Sequence, residues 1–93
     1  MLKTLEDLVN IIRERKSSSD ETSYTSKLLK DKSLSLEKVK EEIGELIEAV
    51  DNNSNKIHEA ADVLYHLLVY LEGNGVRIED IMDELEKRKK KKE

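Results

Sequence analysis

The chain contains no cysteine, proline, phenylalanine or tryptophan, and it has only three glycines among its 93 residues. The absence of cysteine excludes disulfides, thiolate metal sites and cysteine nucleophiles. Because proline is absent and glycine is rare, the abundant Leu, Ile, Glu and Lys residues favour helices. The aromatic residues are three tyrosines, Tyr24, Tyr65 and Tyr70. The sequence therefore predicts an all-α protein whose core is aliphatic.

Long hydrophobic runs are also missing. The longest strongly apolar stretch, Val63 to Leu71, is too short to span a bilayer and contains His66. The formal net charge of −4 excludes a broadly basic nucleic-acid binder and supplies no general attraction to anionic membranes. We therefore expect a cytoplasmic protein without a nucleic-acid or membrane partner.

The length suits one small domain that spans residues 1–93. An aliphatic core of this size is marginal on its own, and the segment from Ile57 to Leu71 is apolar on nearly all sides. We therefore expect oligomerisation to complete the fold, as a homodimer or a higher even-numbered assembly.

Helical periodicity predicts four main helices and one short element of uncertain type at Tyr24 to Leu29. The first helix covers about Leu5 to Arg15 with Thr4 as its cap, and a polar loop follows at residues 16–21. The two long central helices are expected from a cap at Ser33 or Ser35 to about Val50, and from about Lys56 to Glu72. Because the turn between them is short, they should be antiparallel neighbours.

The last helix is expected to begin near Ile78 or Glu79 and to fray into the basic run at residues 87–93. Ile81, Met82 and Leu85 should form its inner face. The basic run suits a helix C-terminus, and we interpret it as a solvated helix end rather than a nucleic-acid contact.

Carboxylates cluster on both central helices. Glu41, Glu42 and Glu45 border the apolar stripe of the first, where a solvated glutamate surface is the simpler interpretation. On the mostly apolar second helix, Glu59 and Asp62 share a narrow stripe with Asn55 and His66. Ionised carboxylates on such a helix need a partner, which is either a set of lysine salt bridges or a metal.

We expect an antiparallel pairing to place Glu42 and Glu45 opposite Glu59 and Asp62. Several carboxylates in one groove repel each other strongly without a cation. Oxygen-only ligands favour Mg²⁺, or Mn²⁺ in its place. The chemistry predicted from this arrangement is hydrolysis or transfer at phosphorus.

These residues resemble a known family. The string Glu41-Glu42-x-x-Glu45, followed by Glu59-x-x-Asp62, resembles the signature of the all-α, MazG-type nucleotide pyrophosphohydrolases. Within that group, nearly the whole chain is similar to the phosphoribosyl-ATP pyrophosphatases of histidine biosynthesis. The more specific matches are the strings Ser23-Tyr24-Thr25-x-Lys27-Leu28, Lys38-Val39-x-Glu41-Glu42, Asp62-Val63-Leu64-Tyr65-His66 and Glu84-Leu85-x-x-Arg88.

The resemblance implies a MazG-like helical bundle and Mg²⁺-dependent hydrolysis of 1-(5-phosphoribosyl)-ATP to 1-(5-phosphoribosyl)-AMP and pyrophosphate, the second step of histidine biosynthesis. It also implies a role for each matching residue. The metal ligands are Glu42, Glu45, Glu59 and Asp62. Glu41 orients or deprotonates the attacking water, or holds a second Mg²⁺. Lys27 and Lys38 contact phosphate, and Tyr24 and Thr25 donate hydroxyl hydrogen bonds to the substrate.

Two departures from the family pattern, Lys40 for glycine and Ile43 for alanine, remove no ligand. Lys27 and Lys38, which the resemblance assigns to phosphate, could instead be solvated surface residues. His66 either supports a ligating carboxylate or is buried in a subunit interface, so it is left outside the catalytic set.

Two other functions remain open. A house-cleaning pyrophosphohydrolase acting on non-standard nucleoside triphosphates would share the acidic site, although the Ser23-Tyr24-Thr25 and Tyr65-His66 strings argue against it. A non-catalytic helical adaptor would use its acids in salt bridges alone.

Overall fold

The computed structural model describes residues 2–17 and 22–90, which form five helices and, within these ranges, no strand. The helices are α1 (Lys3–Ser17), α2 (Tyr24–Lys30), α3 (Lys32–Asn52), α4 (Lys56–Gly73) and α5 (Ile78–Lys90). None of the helices in this part of the chain has the length and apolar character needed to cross a membrane. The all-α fold predicted from the sequence is confirmed.

The two long helices α3 and α4 form the antiparallel hairpin that the short turn predicted, and this pair makes the most extensive contact of the fold. Asn53 and Asn55 in the connection have positive φ angles of 52° and 53°. Asparagine adopts this left-handed conformation more readily than most residues. The Asn53 N–H closes α3 by donating to the Ala49 and Val50 carbonyls.

Helix starts differ from the sequence prediction at two places. Asp31, rather than Ser33 or Ser35, caps α3, because its carboxylate accepts from the Leu34 N–H at 3.0 Å. Helix α2 ends at Lys30, so a single residue separates the two helices and Asp31 serves both. At the other end of the chain α1 begins at Lys3, which places Thr4 inside the first turn instead of at the cap.

The first helix is also longer than predicted. It extends through Ser17, so Lys16 is helical rather than part of a loop. The Lys16 ammonium donates to the Glu72 carbonyl at 2.7 Å, and this contact holds the end of α1 against the end of α4. The rest of the predicted polar loop, residues 18–21, lies outside the described residues.

The core lies between α1, α2 and the C-terminal half of α4. Its fully buried members are aliphatic, as predicted: Val9, Ile12, Leu28, Leu68 and Val69. Tyr65 and Leu34 pack against this cluster from α4 and α3. The short helix α2 contacts α1, α3 and α4, and is therefore held over the central hairpin.

The other half of the hairpin carries an exposed apolar surface. We use that term for five aliphatic residues of α3 and α4, each between 40% and 88% exposed: Ile43, Ile47, Val50, Ile57 and Leu64. The sequence led us to expect α4 to be buried on most sides. Within residues 2–17 and 22–90 of one chain, Ile57 and Leu64 stay exposed. Their burial by a second copy, which the sequence analysis expects, stays a prediction.

Helix α5 has no buried residue. Met82 and Leu85 are each 48% exposed, so the inner face predicted for this helix is only partly covered within the chain. The helix continues through Lys90 into the basic run, where Arg88 donates to Glu84 at 3.2 Å. Residues 91–93 lie outside the described part of the chain.

Candidate active site

Three carboxylates gather on one side of α3. Glu41, Glu42 and Glu45 each offer an oxygen within 4.8 Å of the others, as their helical spacing allows. Glu42 is only 8% exposed, whereas Glu41 and Glu45 face outward. The cluster therefore has one buried carboxylate beside two accessible ones.

The buried member of this cluster has an unusual pKa. Burial, a hydrogen bond with Glu45 and the charges of Glu45, Asp62 and Glu41 raise the pKa of Glu42 to about 7. The contribution of Asp62 places an acid of α4 within electrostatic reach of the α3 cluster.

A second acidic group lies on α4. His58, Glu59 and Asp62 offer ligand atoms within 4.8 Å of one another. The exposed His58 has Nε2 at 3.4 Å from Asp62 Oδ2, while Glu59 and Asp62 are half-buried. The predicted residues are thus arranged as two groups, one on each helix of the hairpin.

A polar cavity of about 220 Å³ joins the two groups at the turn end of the hairpin. Glu45 of α3 and Glu59 of α4 both line it. Its wall also contains residues that the sequence analysis did not assign to a site: Glu48, Asn52, Ser54 and Asn55. For Glu48 the sequence did hold an indication, because a residue three positions after Glu45 lies on the same face of the helix.

The donor set fits a hard divalent cation. Carboxylate and amide oxygens line the cavity, and such donors suit Mg²⁺ or Mn²⁺. Burial first, and then the neighbouring acids Glu45, Asp62 and Glu41, raise the pKa of Glu42, so a negative charge on this carboxylate lacks full compensation from the protein. A bound cation would supply that balance and hold Glu42 ionised.

A cluster of hydroxyl groups and aromatic rings links α2 to α4 beside the acids. Tyr24 Oη lies 3.0 Å from His66 Nε2, and the Thr25 and Tyr65 hydroxyls hydrogen-bond to each other. The rings of Tyr24 and Tyr65 stack with centroids 6.3 Å apart. Tyr24 and Thr25, the two hydroxyl-bearing residues of α2 that the family resemblance assigned to substrate, therefore contact α4 directly.

The two candidate phosphate ligands differ in their surroundings. Lys38 Nζ lies 3.7 Å from Glu41, and its positive charge partly opposes the rise that burial causes in the pKa of Tyr24. Lys38 is thus close to both the acids and Tyr24. Lys27 is exposed, and its side chain has no hydrogen bond or ion pair with the described residues.

Comparisons with known proteins agree with these features. A family model described as phosphoribosyl-ATP pyrophosphohydrolase matches residues 5–89. A phosphoribosyl-ATP pyrophosphatase of Methylobacterium nodulans is 47% identical over 91% of this chain and 82% of its own length. A phosphoribosyl-ATP pyrophosphatase of Halobacterium salinarum is 39% identical over 96% of this chain and all of its own.

A similar segment occurs inside a longer protein. The histidine biosynthesis bifunctional protein HisIE of Pyrococcus furiosus is 41% identical over 96% of this chain, which matches 43% of that protein. No solved structure gives a significant match. The family model and the relatives both cover most of the sequence, including both acidic helices. The chain therefore belongs to the phosphoribosyl-ATP pyrophosphohydrolase family.

Proposed function

We propose that this protein hydrolyses 1-(5-phosphoribosyl)-ATP to 1-(5-phosphoribosyl)-AMP and pyrophosphate, with Mg²⁺ or Mn²⁺ held by Glu42, Glu45, Glu59 and Asp62. The observation that carries the proposal is the buried Glu42 carboxylate, whose pKa is raised to about 7 by burial and by acids that include Asp62 on the facing helix. Such a site is disfavoured without a cation. Family membership supports the substrate. The cytoplasmic location stays a prediction.

The side chains divide the reaction between them. A bound divalent cation would polarise the phosphate oxygens and offset the charge on the departing pyrophosphate. Glu41 is exposed at the edge of the acidic cluster, where it is accessible to accept a proton from the attacking water. We assign Lys38 a contact with a phosphate oxygen, and its position beside Glu41 and its electrostatic effect on Tyr24 support this assignment.

The test is a pyrophosphate-release assay with phosphoribosyl-ATP, compared with dUTP, dCTP and ATP. Asp62→Asn should lower turnover about a hundredfold or more, because it weakens the cation site while preserving size. Asp51→Asn, an exposed change on the same hairpin, serves as the control and should keep wild-type turnover.

Each alternative predicts a different outcome of this assay. Near-wild-type activity in Asp62→Asn would contradict the metal assignment. Faster hydrolysis of dUTP or dCTP would favour the house-cleaning function. A helical adaptor would release no pyrophosphate, and its melting temperature would not rise with Mg²⁺.

Substrate binding by Lys27 can be separated from metal binding. Lys27→Ala should raise KM for phosphoribosyl-ATP about tenfold, since a lost charged contact to phosphate commonly costs 1–3 kcal/mol. Mg²⁺ binding to the free enzyme, measured by calorimetry, should change little because Lys27 is not a ligand. Lys32→Ala, an exposed lysine at the start of α3, is the control. Unchanged KM in Lys27→Ala would remove this residue from the site.

The exposed apolar surface predicts a homodimer or a higher even-numbered assembly. Ile57 is 88% and Ile47 60% exposed, and a second copy of the chain would remove such side chains from water. We expect the wild type to sediment as an oligomer at micromolar concentration. Ile47→Glu should shift it toward monomer, whereas Leu2→Glu, which changes an exposed leucine outside this surface, should not. A folded wild-type monomer would contradict the prediction.

A further inference from the structure

His66 has two hydrogen-bond partners, and together they fix its tautomer. Its Nδ1 atom lies 2.8 Å from the backbone carbonyl oxygen of Asp62. A carbonyl oxygen only accepts, so Nδ1 must carry the proton. In the neutral ring Nε2 is then an acceptor. The Tyr24 hydroxyl, 3.0 Å from Nε2, must therefore be the donor in that contact.

We propose that His66 is a positioning residue whose Nε2 atom accepts the hydrogen bond of the Tyr24 hydroxyl. The Tyr24 oxygen then meets the substrate as a hydrogen-bond acceptor. This inference rests on the proposed function and deepens it. It replaces the sequence-based expectation that Tyr24 donates to the substrate. An ionised phosphate oxygen only accepts hydrogen bonds, so it cannot pair with a Tyr24 oxygen that acts as an acceptor. The group that Tyr24 recognises is therefore a donor on the nucleoside part of the substrate, a ribose hydroxyl or a base amine.

Packing supports a fixed geometry. His66 is 8% exposed, and its ring meets Tyr24 and Tyr65 edge-on with centroids 5.8 Å and 5.0 Å apart. Tyr24 itself is 46% exposed, which leaves the phenol accessible to a ligand. Burial of its inner side, with the nearby charges of Glu42 and Glu41, raises the pKa of Tyr24 against the opposing effect of Lys38. The phenol therefore keeps its proton at neutral pH.

The same contacts couple recognition to the acidic site. The hydrogen bonds run from Tyr24 on α2 through the His66 ring to the backbone of Asp62, one turn earlier on α4. A nucleoside held by Tyr24 is thereby placed relative to the helix that carries Glu59 and Asp62. His66 acts in this arrangement without touching the reacting phosphates.

The tautomer can be measured without turnover. The chain has two histidines, so long-range proton–nitrogen spectra of the metal-free protein at pH 8 contain only the His66 and exposed His58 rings. His66 should show a protonated Nδ1 and an unprotonated Nε2. Tyr24→Phe should leave this tautomer in place while shifting the Nε2 resonance. A protonated Nε2 on neutral His66 in the wild type would overturn the proposal.

Kinetics test the positioning role. Tyr24→Phe and His66→Leu should each raise KM for phosphoribosyl-ATP about five- to tenfold, with kcat changed less than twofold. The KM of the double variant should be no higher than that of the single variant with the higher KM, because both changes remove the same interaction. His66→Gln, whose side-chain oxygen can accept from Tyr24, should recover part of the loss.

The control is Tyr70→Phe, which removes a phenol hydroxyl from α4 one turn beyond His66. It should keep wild-type KM. If the effects of the Tyr24 and His66 changes on KM were additive, the proposal would be overturned. The same holds if the variants lowered only the melting temperature and left KM unchanged. If wild-type protein releases no pyrophosphate at all, the proposed function fails, whereas the tautomer measured in the free protein still reports on the Tyr24–His66 contact.

Discussion

Replacing Glu42 by glutamine should abolish pyrophosphate release and, at the same time, stabilise the metal-free protein at pH 8. The activity is lost because Glu42 is a proposed cation ligand. The stability rises because the substitution removes a buried negative charge whose pKa is raised from 4.5 to about 7. At about 1.4 kcal/mol per pKa unit, the gain in the free energy of unfolding is at most about 3.5 kcal/mol.

The pH dependence has a definite sign. Between pH 4.5 and pH 7 the folded protein keeps a proton on Glu42 that the unfolded chain has already lost. The stability that this proton confers is therefore complete below pH 4.5 and is lost as the pH rises through 7. Urea unfolding in the presence of a chelator, at fixed protein concentration, should show this fall for the wild type.

Glu42→Gln should lack that fall in stability. Glu37→Gln changes an exposed glutamate on the same helix and should follow the wild type. Identical pH profiles for the wild type and Glu42→Gln would show that Glu42 is not the proton-binding group.

Replacing Arg13 by methionine should destabilise the fold more than any surface change on α1. The Arg13 guanidinium binds both oxygens of Glu72, at 3.1 Å and 2.9 Å, and also contacts Glu79 at the start of α5. Glu72 is only 4% exposed. Without Arg13, the charge of Glu72 is left buried and unpaired. We therefore expect the free energy of unfolding, measured in urea, to fall by about 2–3 kcal/mol. This is a small loss for a buried pair, because the Arg13 side chain is a third exposed.

Two further variants isolate the cause of that loss. Combining Arg13→Met with Glu72→Met removes both charges and should recover most of the stability. Arg88→Met breaks an exposed pair with Glu84 and should cost at most about 0.5 kcal/mol. A small effect of Arg13→Met, equal to that of Arg88→Met, would contradict the prediction.

The dependence of stability on acidic pH tests the Arg13–Glu72 pair independently. The hydrogen bonds from Arg13 hold the pKa of Glu72 below its ordinary value of 4.5. The stability that this pair contributes is present above pH 4.5 and is lost as the pH falls below it. The difference between the wild type and Arg13→Met should therefore narrow on acidification.

The sequence was sufficient for features that depend on local spacing. Leu5, Leu8, Val9 and Ile12 repeat at helical intervals, and this repeat predicted α1 to within a few residues of its ends. The short asparagine-rich turn predicted the α3–α4 hairpin. The stripe of Glu59, Asp62 and His66 depends only on helical geometry, which is why these three residues could be placed on one side of α4.

Features that join distant parts of the chain could not be predicted in this way. Arg13 and Glu72 are 59 positions apart, and nothing in their local sequence indicates the pairing. The cap of α3 depended on where α2 ends, which its short and weak apolar pattern did not define. Ile43 and Ile47 repeat like core residues, yet they are exposed, since periodicity shows which residues share a face but not what covers it.

The hairpin has a consequence for how the protein reaches its folded state. Every acidic residue of the candidate site lies between Glu41 and Asp62, on two consecutive helices joined by a short turn. Contacts of lower sequence separation cost less loop-closure entropy, whereas the Arg13–Glu72 contact must close a loop of 59 positions. We therefore expect the carboxylates to come together before the bundle closes, and we expect their mutual repulsion to oppose this early step. A divalent cation in the refolding buffer would act on the folding rate as well as on the final stability.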